Sequence, residues 1–231
     1  KDSLDLYRRS ASQLTIVFVK LSKLGISKTL LLMASGLDGE TLETLIKQLT
    51  ATELDLKVFI ICGRTENLVA VAEKALKNYK GAIDFEILGF VTEIPRYMAA
   101  SDMIAGKSGG LTTTEALAAG LAFALVTPYP PQEVANGHYL LEKGIALNID
   151  PLTVFGYKVT SVFEDDAKLA TMQQNALEIA QPNAATKIIE ELLHDPLPRP
   201  RYRRRYSWLP WNWSENWWQG FGRSKELKQS A

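Results

Sequence analysis

The stretch Gly106-Lys107-Ser108-Gly109-Gly110-Leu111-Thr112-Thr113-Thr114-Glu115 follows an apolar, strand-like run and opens a helix-like one. A turn of that kind presents bare backbone amides at a helix amino end, which makes it an anion site. Gly109 and Gly110 let a phosphate approach the main chain with no Cβ in the way, and Thr112 to Thr114 supply hydroxyls that can cap the helix or donate to oxygens. Glu115 falls on the first turn, where the helix dipole favours a carboxylate and where it can accept hydrogen bonds from a sugar diol. Further on, Pro130-Pro131-Gln132-Glu133 starts another helix-like segment, and Gln132 carries both a donor and an acceptor. Spacing alone leaves the plainer alternatives open, since a Gly-Gly turn also caps ordinary helices and Gln-Glu also starts solvated ones.

These residues need a frame that brings them to one place. Thr29 to Ala34, Leu56 to Cys62, Ile83 to Leu88, Asp102 to Ala105 and Ile145 to Ile149 are short, mostly apolar runs of strand length. Between them lie helical patterns: Leu42, Leu45, Ile46 and Leu49 share one face, Glu66 to Tyr79 forms a second helix, and Ile94 to Ala99 a short third. Such alternation predicts an α/β fold with a doubly wound parallel sheet, Rossmann-like, whose ligands bind at the carboxyl ends of the strands. Gly36, Gly63, Phe90, Ser108 to Thr112 and Pro128 to Glu133 all follow strands, so the frame gathers them on one edge. After Ile149 two helices are expected, Asp166 to Ala180 and Asn183 to His194, parted at Pro182. The second would carry a packing face of Ala184, Ile188, Ile189, Leu192 and Leu193. No Gly-x-Gly-x-x-Gly follows the first strand, which argues against a dinucleotide oxidoreductase.

Composition narrows the classes further. The chain has 231 residues, 46% of them hydrophobic and 23% charged, as suits one globular domain with appendages. Cys62 is the only cysteine, so an intrachain disulfide or a cysteine-cluster metal site is excluded, and its place after a strand-like run marks it as a small buried hydrophobe. His138 and His194 stand far apart without a metal-ligand pattern. The zero net charge hides an uneven distribution. From Pro196 onward eight Arg or Lys face two Glu, a net of +6, and all five tryptophans lie between Trp208 and Trp218. Prolines at 196, 198, 200 and 210 oppose one long helix there, and Arg mixed with Tyr and Trp is the composition of a membrane-interface belt or of a nucleic-acid surface.

The order of motifs carries a family resemblance. Gly89-Phe90-Val91, Met98-Ala-Ala-Ser-Asp102, Gly109-Gly-Leu-Thr-x-x-Glu115, Pro130-x-Gln-Glu-x-x-Asn136 and Gly144 occur in sequence, with Ile61-Cys-Gly-Arg-Thr-Glu-Asn-Leu68 upstream and Gln181-Pro-Asn-Ala-Ala185 downstream. Together they resemble the nucleotide-sugar half of the lipid glycosyltransferases that include monogalactosyldiacylglycerol synthase and the processive diacylglycerol glucosyltransferases, relatives of the peptidoglycan GlcNAc transferase. The resemblance covers most of Lys28 to Leu193. It implies the C-terminal half of a GT-B glycosyltransferase that moves a hexose from a UDP-sugar to a diacylglycerol-like lipid with inversion. The implied donor-binding residues are Phe90, Val91, Ser108, Gly109, Gly110, Leu111, Thr112, Glu115, Gln132 and Glu133. Of these, Gly110, Leu111 and Thr112 would hold the diphosphate, Glu115 both ribose hydroxyls, Phe90 and Val91 would flank the uracil, and Gln132 and Glu133 would meet the sugar hydroxyls. Asn136 would fix its helix against the site. The resemblance implies no metal and no cofactor beyond the UDP-sugar as donor substrate, and it puts the general base in another domain, so no catalytic residue is assigned.

The implied organisation has three parts: residues 1–27 as a linker or remnant leading from a missing N-terminal acceptor domain, 28–195 as the nucleotide-sugar-binding domain, and 196–231 as a basic, Trp-rich tail. Expected partners are the UDP-sugar, a lipid acceptor, a membrane surface met through the tail, and an acceptor domain or a partner chain supplying it, with no nucleic acid. The expected location is the cytoplasmic or organellar stromal face, as a peripheral membrane protein. Ala34-Ser35, Ser108 and Pro131 replace residues usual in the family, which keeps an alternative open: a catalytically degenerate UDP-sugar-fold module acting as a membrane or complex scaffold. A sugar-nucleotide epimerase of similar fold would need acid and base carboxylates within one complete cleft.

Overall fold

The computed structural model describes residues 28–126 and 130–194. What was expected of residues 1–27, of Thr127 to Tyr129 and of the tail lies outside them. Six strands, β1 (Thr29–Met33), β2 (Lys57–Ile61), β3 (Asp84–Leu88), β4 (Met103–Gly106), β5 (Ala122–Val126) and β6 (Ala146–Ile149), form one sheet in the order β3-β2-β1-β4-β5-β6. Every neighbouring pair is parallel. The helices between them are α1 (Gly39–Thr50), α2 (Glu66–Leu76), α3 (Ile94–Ala99), α4 (Gly110–Ala118) and α5 (Pro131–Glu142). A short 3-10 turn, Leu152–Val154, then leads into α6 (Phe155–Phe163), α7 (Asp166–Ile179) and α8 (Ala184–His194).

The strands alternate between two cores. Leu30, Leu32, Val58, Ile60, Met103, Ala105, Ala122 and Ala124 face one side, packed with Leu42, Leu45, Ile46 and Leu49 of α1, Leu68 and Ala72 of α2, and Phe155, Val159 and Val162 of α6. Leu31, Phe59, Ile104, Phe123 and Leu125 face the other, with Met98 of α3, Ala116 and Leu117 of α4 and Leu140 of α5. Side chains of a strand point to opposite faces in turn, so a strand covered on both sides must be apolar at every position. That is why β1, β4 and β5 read as unbroken apolar runs. Edge strand β3, with Asp84 and Glu86, is the least buried of the six, and Lys57 of β2 pairs with both acids.

The helix starts follow local chemistry. Asp38 caps α1, its carboxylate accepting from the Thr41 N–H and hydroxyl, both at 2.8 Å, and the Thr41 amide is the main reason its carboxyl sits below the usual carboxylate range. Asp38→Ala is expected to lower stability by about 1 kcal/mol, read from a urea melt. An unchanged midpoint would show that solvent caps the helix equally well.

Helix α6 departs from expectation, because two helices rather than three were expected after the last strand. Its sequence, FGYKVTSVF, is rich in β-branched and aromatic residues that form isolated helices poorly. Packing decides instead: Phe155, Gly156, Val159, Val162 and Phe163 are buried, and a Cβ on Gly156 would stand 2.4 Å from the Gln48 carbonyl oxygen of α1. Helix α8 belongs to a separate unit that begins at Ala184, and its apolar residues Ile188, Ile189, Leu192 and Leu193 are at least half exposed. Periodicity fixes which side of a helix is apolar, not what covers it. Among the described residues no helix is long and apolar enough to cross a membrane.

The Met98-Ala-Ala-Ser-Asp102 run proves to be scaffold. Asp102 sits before β4, at the amino ends of the strands. Its carboxylate accepts from the Thr29 N–H at 2.8 Å, and its carbonyl accepts from Gln173 Nε2 at 3.0 Å, tying β1, β4 and α7. Burial raises its carboxyl above the ordinary value of 3.8, against the opposing pull of the Thr29 amide and Lys28.

Candidate functional site

The order of the sheet reverses between β1 and β4, and a doubly wound sheet binds ligands outside the carboxyl ends at that reversal. Pairing between the two strands ends with Leu32 opposite Ala105, and the next residue, Gly106, lies against Met33. A Cβ there would be 3.1 Å from Met33 Cβ and 3.2 Å from the Met33 carbonyl oxygen. Glycine is therefore what allows β4 to run this far beside β1 before turning into Lys107, Ser108 and Gly109.

Gly109 is the N-cap residue of α4, and no side chain caps that end. The first turn thus opens with free amides at the reversal point, as the glycines predicted. The three threonines behave differently from one another. Thr114 returns its hydroxyl to the Gly110 and Leu111 carbonyls, both at 3.0 Å. Thr113 is buried, with Oγ1 unpartnered. Thr112 is half-buried, and successive residues on a helix point about 100° apart, so the three hydroxyls cannot all face the turn's mouth. Leu111 is 79% exposed, and Glu115 is also exposed, on the second turn of α4 rather than the first as expected, because the helix begins at Gly110.

Ser108 does not offer its hydroxyl to a ligand. The residue is fully buried, and Oγ donates to the Glu133 carbonyl at 2.6 Å. Asn136 answers from the same helix, Nδ2 donating to the Ser108 carbonyl at 2.9 Å. Two bonds thus clamp the loop after β4 to the first turns of α5. Gly137 is packed at this contact: a Cβ there would meet Ser108 Oγ and Leu125 Cδ1 at 3.4 Å each, the near limit of ordinary van der Waals contact. An isolated glycine inside a helical pattern was the available signal for this approach, and spacing alone did not interpret it.

The clamp also places Glu133. Its Oε1 lies 3.9 Å from where a Cβ on Gly109 would be, and its Oε2 is buried with no partner among the described residues. A carboxylate can only accept, so a buried oxygen without a donor is unsatisfied until something supplies one. Gln132 is exposed beside it, and Pro131 occupies the first position of α5, where a missing amide costs least. Gly109, Gly110, Leu111, Thr112, Gln132 and Glu133 therefore line one edge around an open helix end. Phe90 and Val91 lie on that edge too, after β3 and three strands from β4; Phe90 is 55% exposed rather than core. His138 is exposed and lines a cleft on the β6 side of α5, with Leu141, Asn148 and Asp150. Cys62 is fully buried, and burial pushes its thiol pKa up. Among the described residues no group of three His, Cys, Asp or Glu could hold a metal ion.

Known proteins share this sequence and this frame. The glycosyltransferase family 28 C-terminal domain matches residues 39–192. A processive diacylglycerol beta-glucosyltransferase of Staphylococcus carnosus is 26% identical over 182 residues, 78% of this chain and 46% of that protein. The chloroplastic monogalactosyldiacylglycerol synthase of Spinacia oleracea is 34% identical over 153 residues, 65% of this chain and 28% of the synthase. The chain spans about half or less of the length of the curated relatives it matches. Among solved structures, MurG of Acinetobacter baumannii superposes with a TM-score of 0.63 at 23% identity, covering 72% of this chain and 49% of MurG. Anabaena HepE, solved with UDP-glucose, gives 0.56 at 19% identity, covering 77% of this chain and 52% of HepE. These likenesses fix the fold as the Rossmann-like C-terminal half of a GT-B glycosyltransferase. The motifs from Phe90 to Asn136 fall inside the matched segment, and the chain belongs to the glycosyltransferase family 28 C-terminal domain family.

Proposed function

We propose that this chain is the donor-binding half of a transferase that moves a hexose from a UDP-sugar to the hydroxyl of a diacylglycerol-like lipid, with inversion at the anomeric carbon. One observation carries the reading: the uncapped amino end of α4 opens at the sheet's reversal point, with the unpartnered carboxylate oxygen of Glu133 beside Gly109. The amides of Gly110 and Leu111 with the Thr112 hydroxyl suit the diphosphate, Glu115 the ribose diol, and Gln132 and Glu133 the sugar hydroxyls. As the lipid oxygen attacks the anomeric carbon, the bond to the diphosphate breaks, and fixed amides stabilise the charge that gathers on the leaving oxygen. The proton of the acceptor hydroxyl goes to a base on the acceptor-binding half. The names of the relatives, both diacylglycerol enzymes, support the acceptor class.

The basic, Trp-rich tail is proposed to bring the chain to a lipid surface, as a peripheral protein of the cytoplasmic or stromal face. A degenerate donor-fold module is the second reading, favoured by Ala34-Ser35 in the turn after β1, which replace residues usual in the family. UDP bound without turnover, even with an acceptor domain added, would select it.

The test is calorimetric titration of the folded chain with UDP. Wild type is expected to bind, and Glu115→Ala to bind at least about tenfold more weakly through loss of a charge-assisted contact. Equal affinity in the two proteins would remove Glu115 from the site, and no binding by a folded wild type would overturn the donor assignment.

A further inference from the structure

Arg64, which the donor assignment leaves unused, is in contact with Phe90, which the resemblance places beside the base. The guanidinium carbon of Arg64 lies 3.9 Å from the centroid of the Phe90 ring, a close cation-π stack. Both residues stand on the ligand-bearing edge, one after β2 and one after β3. Their two loops are held in step beyond the strands themselves: the Cys62 N–H donates to the Leu88 carbonyl at 2.8 Å, and the Gly63 N–H to the Gly89 carbonyl at 3.2 Å. Gly63, at φ +69°, turns the chain so that Arg64 comes back over the neighbouring loop. The result is a large aromatic ring, 55% exposed, with an arginine laid on it at the rim of the site.

Distance decides what this pair can meet. In the strand order, β2 is two steps and β3 three steps from β4. At one strand spacing per step, the pair lies roughly 10–15 Å from the open end of α4. That is beyond the reach of one arginine toward phosphates bound there, and it is a separation that a nucleoside diphosphate spans from its phosphates to its base. Resting on the proposed donor site, we infer that Arg64, stacked on Phe90, is a specificity-determining residue that reads the donor's nucleobase by donating to the carbonyl oxygen at C4 of the ring.

The chemistry selects one class of base. A guanidinium has five N–H donors and no acceptor, and a stack on a ring leaves it free to donate at its edge. Uracil presents a carbonyl oxygen at C4, whereas cytosine presents an amino group there, which would set donor against donor. Buried polar groups left facing like groups are how binding sites reject close analogues. Arg64 therefore favours a 4-oxo pyrimidine over a 4-amino one.

UDP and CDP differ only in the base, so they are the probes. Titrations of the full chain are expected to show a preference for UDP in wild type. In Arg64→Ala, UDP binding should weaken about tenfold while CDP binding stays within about twofold, for one charge-assisted hydrogen bond lost. Arg64→Lys keeps the charge without the planar fork and should fall between. Phe90→Leu removes the ring that holds the guanidinium and should weaken UDP about threefold. If Arg64→Ala leaves UDP affinity unchanged, or weakens UDP and CDP equally as a general phosphate-attracting charge would, the inference is overturned. The parent reading fails separately: Glu115→Ala weakening UDP while Arg64→Ala does not would keep the donor site and remove only Arg64, and a folded wild type that binds neither nucleotide overturns both.

Discussion

Gly106→Val is expected to lower stability by about 3 kcal/mol, the upper range for forcing extra bulk into a filled core, and to weaken UDP binding more than tenfold in whatever fraction folds. The residue ends β4, opposite Leu125 of β5 on one side and against Met33 on the other. A Cβ would already press on Met33 Cβ at 3.1 Å and on its backbone oxygen at 3.2 Å. Valine adds two methyl groups in a fully buried place, and the pressed atoms belong to a central strand that cannot withdraw without breaking its ladder to β2. The strand end carrying Ser108 and Gly109 would then move away from the reversal point and take the amino end of α4 with it. Gly106→Ala should show the same direction with less than half the loss. Urea midpoints give the first effect and titration of the folded sample the second. A valine variant as stable as wild type would mean that β1 and β4 separate freely here, and that the tight approach does not hold the site.

Removing the Asp102 carboxylate should give the next largest loss. Asp102→Ala is expected to cost about 2 kcal/mol, because it leaves the N–H of Thr29, a buried residue, without its 2.8 Å acceptor. The carboxylate is itself partly desolvated, and that gives the site a pH signature. Its folded pKa is raised above 3.8, so between that value and the raised one the native state holds a proton that the unfolded chain has released. The contribution of Asp102 to stability is therefore full below about pH 4 and declines as pH rises through that window, then levels off. Asp102→Asn keeps an acceptor and has no charge to desolvate. Its stability relative to wild type should thus increase as pH rises from about 4 and level off once Asp102 is ionised in the folded state. A constant difference across that range would show that Asp102 does not titrate with folding. UDP affinity should be unchanged in Asp102→Asn, since the residue stands at the amino ends of the strands, away from the ligand edge.

Gly106 and Asp102 both hold the frame, one at the carboxyl end of β4 and the other just before its amino end. Sequence alone could not assign that role to Asp102 or to Ser108. Ser108 stands within the Gly-Gly turn and carries a hydroxyl, which is all the sequence reports. Its hydroxyl is committed to the Glu133 carbonyl because α5, a segment 25 residues later, lands on it. Helix α6 was invisible for a similar reason: its residues prefer extended structure in isolation, and their helical form depends on the surface of α1.

What the sequence determined by itself is the set of properties that arise from neighbours along the chain. Apolar runs of strand length alternating with amphipathic helices specify a parallel sheet covered on both faces, and Gly109-Gly110 before Thr112 specifies an open helix start, since both depend on local period and local conformational freedom. Tertiary structure alone decided how those parts meet. Glu133 beside Gly109, Asn136 on Ser108, Gly106 against Met33 and Arg64 over Phe90 join residues from different βα units, and their contacts are fixed by strand order and close packing. No spacing within one segment encodes a distance to another, so the site's shape is a property of the sheet.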